Sequence, residues 1–190
     1  TVGGMIATNA SGSRSLKYGS TIDNLLEVTL VTGTGDLIKL PSKTKYAEFV
    51  VSVANGVDKS TFPQVSKNSC GYRLDAINSQ NDSQKIIAGS EGTLGIVVSA
   101  KLKIKKIPQR RSLLILGYDS VIRAAHDCQN LIKLKPSALE FVDHNTMKNF
   151  KASFLRSTNC LLFIEFDENI KQSIAHLNKI SDAKILYKLD

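Results

Sequence analysis

Two short runs of small residues constrain the fold more than any other feature of this 190-residue chain. Residues 1–12 read T-V-G-G-M-I-A-T-N-A-S-G, and residues 89–96 read G-S-E-G-T-L-G-I. Glycine lowers stability inside helices and strands, so a glycine run marks a place where another group comes close to the backbone. We therefore expect both runs to border a ligand or a closely packed element.

Each run allows two interpretations from its residues alone. The glycines of the second run, spaced by three, could bind diphosphate oxygens through main-chain N–H groups, or they could belong to an ordinary tight loop. The first run could lie flat against a planar ligand, or it could be a helix packed closely on a sheet. In the ligand interpretation, the polar side chains available to the edge of the ligand are Thr1, Thr8, Asn9 and Ser11.

The part of the chain before Pro108 is punctuated by glycine and rich in predicted strands. Two apolar runs, 25–31 and 37–40, flank a glycine-containing turn and predict a β-hairpin. A polar loop is expected at 78–83, and a strand is expected at 96–107. A short amphipathic helix is predicted from apolar residues at helical spacing, namely Tyr46, Val50, Val53 and Val57.

After Pro108, predicted strands and helices alternate. Strands are expected at 112–118, 138–142, 160–166 and 184–189. Two helices are predicted from apolar faces formed by Val121, Ala124, Ala125, Cys128, Leu131 and Ile132, and by Ile170, Ile174, Leu177 and Ile180. With a further short helix at 145–150, the order is β-α-β-(α)-β-α-β, which is typical of a ferredoxin-like α+β sandwich. We therefore place a domain boundary at 108–111.

Composition restricts the class and location of the protein. Apolar residues make up 42% and charged residues 22%, as in a water-soluble globular protein, and no apolar run approaches the roughly 20 residues of a membrane span. The three cysteines, Cys70, Cys128 and Cys160, form no C-x-x-C pair, which argues against a disulfide framework and against a metal–sulfur site. We therefore expect a cytoplasmic protein.

The net charge of +8 raises the question of an anionic partner. Lys101, Lys103 and Lys105 alternate with Leu102 and Ile104, which is the pattern of a half-buried strand with one solvated face. No aromatic residues are interleaved with these lysines, as a nucleic-acid stacking surface would require. A basic exposed face is the preferred interpretation, and a phosphate-bearing cofactor is the alternative anionic partner.

Few side chains suggest catalysis or metal binding. The histidines are too far apart for local metal-ligand spacing, and we expect no metal site at His126, His144 or His176. A nucleophile would need a base partner, which the sequence does not indicate for Ser11, Ser90 or Cys70.

Two pairs of polar residues remain open to a functional role. Glu140 and Asp143 could pair for acid–base chemistry, or Asp143 or Asn145 could cap a helix. Tyr72 and Arg73 could approach a ligand held at the second glycine run.

Shorter motifs accompany the two runs in a fixed order. Lys17-Tyr18-Gly19 and Asp23 follow the first run, Lys67-Asn68 and Gly71-Tyr72 precede the second, and S-A-L-E-F-V-D follows at 137–143. Together with the two runs, these motifs resemble the FAD-linked oxidase family, which includes glycolate oxidase, D-lactate dehydrogenase and D-2-hydroxyglutarate dehydrogenase. The last motif resembles the start of the substrate-side cap domain of that family.

The resemblance implies an α+β chain. Residues 1–108 would be the second subdomain of a PCMH-type FAD-binding domain, and residues 109–190 would be part of a ferredoxin-like cap domain. FAD would lie between two subdomains with its isoalloxazine facing the cap. By resemblance, the first run would contact FAD through Thr1, Gly3, Gly4, Ala7, Thr8, Asn9, Ala10 and Ser11. The second run would do so, largely through its main chain, at Glu91, Gly92, Thr93, Leu94, Gly95, Ile96 and Val97.

The resemblance also implies a reaction. A small D-2-hydroxy acid such as glycolate or D-lactate would be oxidised by hydride transfer to the flavin. The family's diphosphate-binding glycine loop, its histidine-rich motif and its substrate-binding arginine are not found in this sequence. We therefore expect a fragment without catalytic residues that binds FAD weakly and does not turn over alone. A dimer and peripheral attachment to a membrane are also compatible with the resemblance, whereas the electron acceptor is undefined.

Two other interpretations stay open. A non-enzymatic basic module could bind nucleic acid or a protein partner, but Phe141, Phe163 and Phe166 lack the usual RNA-binding signature, so nucleic acid is not expected. In the second interpretation, the chain is a relative of aryl-alcohol oxidases or ether-lipid synthases. Such proteins share the two glycine runs, while their substrate-binding groups differ.

Overall fold

The computed structural model describes residues 1–65, 67–148, 158–181 and 183–189. The chain forms two compact units. The first unit contains residues 1–12 and 19–105, and the second contains residues 13–18 and 106–190. The second unit therefore begins close to the predicted boundary at 108–111, and it also includes a short segment that the sequence assigned to the first domain.

The first unit is built on a three-stranded antiparallel sheet. Strands β1 (Leu25–Val31), β2 (Leu37–Leu40) and β3 (Ile96–Leu102) lie in the order β2-β1-β3. The first two strands are the predicted hairpin, and their register places Val31 opposite Leu37. One face of the sheet enters the core because the alternate residues Val28 and Leu30 of β1 are buried. Leu25 is buried as well, beyond an irregularity in the register between Leu25 and Glu27.

Short helices surround this sheet. The α-helices in the first part of the chain are α1 (Val2–Ala7), α2 (Ser15–Tyr18), α3 (Thr21–Asn24) and α4 (Lys45–Asn55), of which α2 belongs to the second unit. Three 3₁₀ helices follow at Lys59–Thr61, Leu74–Ala76 and Gln80–Ile87.

Two predictions for the first unit were wrong in part. The polar loop expected at 78–83 is largely the start of the 3₁₀ helix Gln80–Ile87, because its apolar end is anchored in the core. Strand β3 ends at Leu102 rather than at 107. Its partner strand begins at Leu25, which lies opposite Leu102, so the neighbouring strand offers no further ladder positions.

The predicted amphipathic helix exists as α4, but its buried face differs from the predicted one. Ala47 and Ala54 are fully buried, whereas Tyr46 and Val53 remain 41% and 39% exposed. Val57 lies beyond the end of the helix. Of the predicted face, Val50 does pack against the core, as does its neighbour Val51. The helix therefore contacts the core through alanine and valine side chains and leaves its aromatic residues partly in solvent.

The second unit is built on a four-stranded antiparallel sheet. Its strands are β4 (Ser112–Tyr118), β5 (Ala138–Val142), β6 (Cys160–Phe166) and β7 (Lys184–Leu189), in the order β5-β6-β4-β7. Every neighbouring pair in this sheet is antiparallel. The order and the intervening helices confirm the ferredoxin-like arrangement.

Helices α5 (Val121–Leu131) and α7 (Ile170–Ile180) cover the core side of this sheet. Leu131 and Leu177 are buried with the strand residues Leu114, Leu116, Leu162, Ile164 and Phe166. Among the described residues, no helix is long and apolar enough to cross a membrane.

A one-turn helix, α6 (His144–Met147), follows β5. The Asp143 carboxylate accepts a hydrogen bond from the Thr146 N–H at 2.8 Å and caps this helix. The capping alternative for Asp143 is thereby confirmed. The predicted helix at 145–150 begins earlier than expected, and residues 149–150 lie outside the described residues.

The segment 13–18 joins the second unit through ion pairs. Arg14 donates two hydrogen bonds of 2.7 Å to the two carboxylate oxygens of Glu165. Lys17 Nζ lies 2.5 Å from Asp167 Oδ1, and the Tyr18 hydroxyl also donates to the Asp167 carboxylate. These contacts explain why a segment next to the first run belongs to the second unit.

Candidate functional site

The fold brings the two glycine runs together. The backbone N–H of Gly89 donates to the Ile6 carbonyl at 3.2 Å, and that of Glu91 donates to the Ala7 carbonyl at 2.9 Å. Helix α1 also lies against β3, because a Cβ placed on Gly3 would be 3.6 Å from Val97 Cβ. The two runs therefore form one surface, although residues 13–88 separate them in sequence.

Two glycines of the second run are required by the protein itself. Gly89 has a φ of +89°, and a Cβ there would lie 2.7 Å from the Gly71 carbonyl oxygen. Gly95 has a φ of +146°, and its Cβ would lie 2.4 Å from the Val31 carbonyl oxygen. Both positions exclude side chains because the neighbouring backbone is too close and L residues rarely adopt such φ values.

Other glycines on the same runs face open space. Gly4, Gly12 and Gly92 are exposed. Within the described part of the chain, no atom lies within 4 Å of a Cβ placed on Gly12 or Gly92. On Gly4, the only such neighbour is the hydroxyl oxygen of Thr1, at 3.1 Å. A ligand could therefore approach the backbone at these positions without meeting a side chain.

The polar side chain of Asn9 points inward and not toward a ligand edge. Asn9 is fully buried with a φ of +46°. Its Oδ1 accepts a hydrogen bond from the Ile22 N–H at 2.9 Å, and its Nδ2 donates to the Asn68 carbonyl at 3.2 Å. Ser69 Oγ donates to the Asn9 carbonyl at 3.2 Å. The predicted ligand-edge role of the Asn9 side chain is replaced by a structural one, which ties the first run to α3 and to residues 68–69.

Most hydroxyl groups of the two runs are also engaged within the protein. Thr1 Oγ1 accepts from the Gly4 N–H at 3.1 Å and caps α1, and Thr8 Oγ1 donates to the Gly4 carbonyl at 2.9 Å. Ser11 is exposed, and its hydroxyl has no partner among the described residues. Of the four polar side chains proposed for the ligand edge, Ser11 is thus the one that forms no hydrogen bond within the described residues.

The hydroxyl of Thr93 links Ser90 of the second run to Tyr72, which lies outside it. It donates to the Ser90 carbonyl at 2.6 Å, and it therefore accepts the hydrogen bond from the Tyr72 hydroxyl, 2.5 Å away. This contact holds Tyr72 against the second run, and its approach to a ligand bound there stays a prediction.

Arg73 is held differently. Its guanidinium forms a two-pronged ion pair with Asp75, with hydrogen bonds of 2.8 and 2.7 Å, and donates to the Asn68 carbonyl at 3.0 Å. The hydrogen bonds from Arg73 lower the pKa of Asp75 and keep it ionised. Arg73 therefore stabilises the loop at 68–75, and its predicted approach to a ligand has no support in these contacts.

The second run offers fewer main-chain donors for a diphosphate than its glycine spacing suggested. The N–H groups of Gly89, Ser90, Glu91 and Thr93 already donate to carbonyl oxygens of the protein. The loop uses its own N–H groups to close its turns. The surface that this run presents to a ligand thus consists of open backbone at Gly92 together with the exposed residues Glu91, Thr93 and Ile96.

The remaining candidates show no catalytic geometry. In the described ranges, His, Cys, Asp and Glu side chains form no group of three or more that could hold a metal ion. Cys70 is exposed, Cys128 is half-buried and Cys160 is buried, and all three are free thiols. Burial raises the pKa of the thiols of Cys128 and Cys160 and so disfavours their reactive thiolate form.

Sequence reasoning missed the residues that hold the two runs in place. Asn68 and Gly71 contact Asn9 and Gly89 directly, and both belong to a motif at 67–72 that carried the resemblance without an assigned role. The signal was present in the N-x-x-G spacing, but Asn9 lies 59 residues before Asn68 and Gly89 lies 18 residues after Gly71, so neither partner could be inferred locally.

Comparison with known proteins identifies relatives of this chain. Residues 1–41 match a family model described as an FAD binding domain. D-2-hydroxyglutarate dehydrogenase of Pseudomonas putida is 31% identical over 168 residues, covering 77% of this chain and 17% of that protein. Glycolate oxidase subunit GlcD of Bacillus subtilis is 30% identical and covers 88% of this chain, and D-lactate dehydrogenase of Anaerostipes hadrus is 34% identical and covers 75%.

A solved structure of alkyldihydroxyacetonephosphate synthase superposes on the whole chain with a TM-score of 0.65 at 21% identity. This likeness shows the fold. The chain spans 17%, 30% and 24% of the three relatives' lengths, and 34% of the synthase chain.

Proposed function

The chain belongs to the FAD-linked oxidase family, and on that premise we propose that its first unit carries part of the FAD site of an oxidoreductase. The observation that carries the proposal is the pair of hydrogen bonds from Gly89 and Glu91 to Ile6 and Ala7, which joins two distant runs into one surface. The proposed reaction is oxidation of a small D-2-hydroxy acid such as glycolate or D-lactate, in keeping with the names of the relatives.

The exposed part of this surface fits a large, flat cofactor with a diphosphate. Backbone is open at Gly4 and Gly92, and the Ser11 hydroxyl is available. When bound, FAD would supply the redox chemistry by accepting the hydride of the substrate. The residues proposed to hold it are Thr1, Gly3, Gly4, Ala7, Thr8, Ala10, Ser11, Glu91, Gly92, Thr93, Leu94, Gly95, Ile96 and Val97, with Asn9 supporting them from inside.

The chain's own residues prepare this surface before a cofactor arrives. The buried Asn9 side chain fixes the turn after α1, and the hydroxyl of Thr93 fixes the loop between Ser90 and Tyr72. A surface that is already ordered loses less conformational entropy when it binds a ligand. We infer that these internal hydrogen bonds support cofactor affinity although they do not touch the cofactor.

We further propose that the general base and the substrate-binding groups are contributed by protein outside these 190 residues, and that the chain has no catalytic residue. The relatives are several times longer than the matched region, which is consistent with this division. A cytoplasmic location, with peripheral membrane contact and a dimer as further options, belongs to the same proposal. Electrons would leave the reduced flavin to a quinone, cytochrome, flavoprotein or oxygen.

The proposal is tested by flavin reduction in the intact protein. Anaerobic addition of glycolate, D-lactate or D-2-hydroxyglutarate should bleach the flavin absorbance near ~450 nm, and the L enantiomers of the chiral acids should not. An intact protein that binds no flavin, or a bound flavin that none of the three acids reduces, would contradict the proposal.

The isolated chain gives a second test. We expect it to fold, to bind FAD weakly and to reduce no dye with any of these acids. Purification of the 190-residue chain with stoichiometric FAD, or turnover by it, would refute the proposed division of labour while leaving the FAD site itself intact.

A further inference from the structure

A large cavity lies within the second unit at one corner of its sheet. It has a volume of about 960 Å³ and is formed by the segment before β4, the end of β7 and the first turns of α7. Such a volume is at the upper end of the usual range for small-molecule sites, roughly 300–1,000 Å³. The cavity contains none of the residues proposed for FAD, so it requires its own explanation.

The lining combines cations with apolar surface. Arg110, Arg111, Lys171 and Lys188 contribute positive charge, while Leu113 and Ile174 are among the apolar residues. Among the described residues, the side chains of Arg110, Arg111 and Lys171 form no hydrogen bond and no ion pair. Three cations in one cavity repel each other unless an anion lies between them.

Nearby carboxylates neutralise these cations only in part. Glu165 also lines the cavity and interacts electrostatically with Arg111, but both of its oxygens are bound by Arg14 at 2.7 Å. Asp167 and Glu168 both form ion pairs with Lys17, at 2.5 and 3.1 Å. Lys17 balances one of these two negative charges, so one negative charge remains beside Arg110. Counted over the described residues, the cavity keeps an excess of positive charge.

We propose that this cavity binds an organic phosphate that carries an apolar body. Two neighbouring guanidinium groups can each form paired hydrogen bonds with phosphate oxygens, and the Lys171 ammonium adds a point charge. The apolar wall at Leu113 and Ile174 would cover the hydrocarbon or ring part of the ligand. The same chemistry is offered by a free phosphate monoester and by a lipid headgroup.

The experiment titrates the 190-residue chain with three probes: octyl phosphate, inorganic phosphate, and vesicles of phosphatidylcholine with phosphatidic acid. The test variant is Arg110→Gln/Arg111→Gln/Lys171→Gln. Its control, Lys101→Gln/Lys103→Gln/Lys105→Gln, removes the same charge from the first unit. All substituted side chains are exposed, and circular dichroism will verify that both variants fold.

We expect octyl phosphate to bind at one site and more tightly than inorganic phosphate, and the test variant to weaken it about tenfold or more, because charge-assisted hydrogen bonds are lost. The control should change affinity by less than about twofold. Binding to vesicles alone, lost in the test variant and kept in the control, would support the proposal with a lipid as the source of the phosphate. Absence of binding to every probe, or equal losses in the two variants, would overturn it.

Discussion

The side chain of Asn9 and the backbone N–H of Ile22 form a buried hydrogen bond of 2.9 Å between the first glycine run and helix α3. Replacing Asn9 by alanine leaves this N–H and the Asn68 carbonyl without their partner, at a cost of about 1–3 kcal/mol for each buried group. We expect Asn9→Ala to lower the free energy of unfolding by about 3 kcal/mol in urea titrations. Ser11→Ala, at an exposed hydroxyl, should change it by less than about 0.5 kcal/mol. Equal stabilities of the two variants would contradict the role assigned to Asn9.

Gly95 admits no side chain. A methyl group there would lie 2.4 Å from the Val31 carbonyl oxygen, and the φ of +146° is unfavourable for alanine. Gly95→Ala should therefore destabilise the first unit by at least about 2 kcal/mol or prevent its folding, as judged by thermal unfolding. Gly12→Ala, where no described atom lies within 4 Å, should fold with nearly unchanged stability.

Substitution of Gly4 tests ligand binding without disrupting the fold. It is exposed inside α1, where alanine is the better helix former by about 1 kcal/mol, and only the Thr1 hydroxyl is near the added methyl group. We expect Gly4→Ala to keep the fold, within about 1 kcal/mol, and to weaken FAD binding. Flavin titration with fluorescence detection measures the affinity. An unchanged affinity would remove Gly4 from the proposed FAD surface.

The ion pair of Arg14 with Glu165 makes stability depend on pH. The hydrogen bonds from Arg14 lower the pKa of Glu165 in the folded state. This contribution is therefore complete above the ordinary glutamate pKa of about 4.3 and is lost as the pH falls through the lowered value. At pH 7, Glu165→Gln should cost about 1 kcal/mol, because Arg14 is half exposed and solvent screens the pair. The difference between the two proteins should shrink as the pH falls below the ordinary glutamate pKa of about 4.3, and a constant difference would exclude the ion pair as its cause.

Ser83 offers a stabilising substitution. The residue is fully buried, and its hydroxyl has no hydrogen-bond partner in the described part of the chain. Ser83→Ala removes an unsatisfied polar group and should raise the free energy of unfolding by up to about 1 kcal/mol. The comparison variant is Ser69→Ala, which deletes the hydrogen bond to the Asn9 carbonyl. This variant should lower the free energy of unfolding by about 1 kcal/mol. A loss in both variants would mean that the Ser83 hydroxyl has a partner after all.

The hairpin at 25–40 and the strands of the second unit were predictable because their signals are local. Alternating apolar residues and turn glycines specify such elements without distant partners. The direction of a small polar side chain is not specified in this way. Asn9 was expected to face a ligand, but Ile22 and Asn68 draw its side chain inward.

The end of β3 also depends on a distant partner, in this case through backbone pairing. Residues 101–105 alternate as a strand should, yet the pairing of β3 stops at Leu102, where β1 begins. Gly89 and Gly95 cannot carry a side chain because the carbonyl groups of Gly71 and Val31 are too close. Their need for glycine is thus explained by the protein itself rather than by a cofactor. Glycine content therefore marked the two runs that the fold brings together, whereas the reason for each glycine required the fold.

The assignment of residues 13–18 to the second unit has a practical consequence for cutting this protein into pieces. The chain passes from one unit to the other three times, after residues 12, 18 and 105. A piece that starts at residue 106 would lose the cationic partners of Glu165 and of Asp167, whose side chain is only 2% exposed. A separately expressed second unit would therefore need the hexapeptide S-R-S-L-K-Y supplied with it, as a fused extension or as a peptide added in trans.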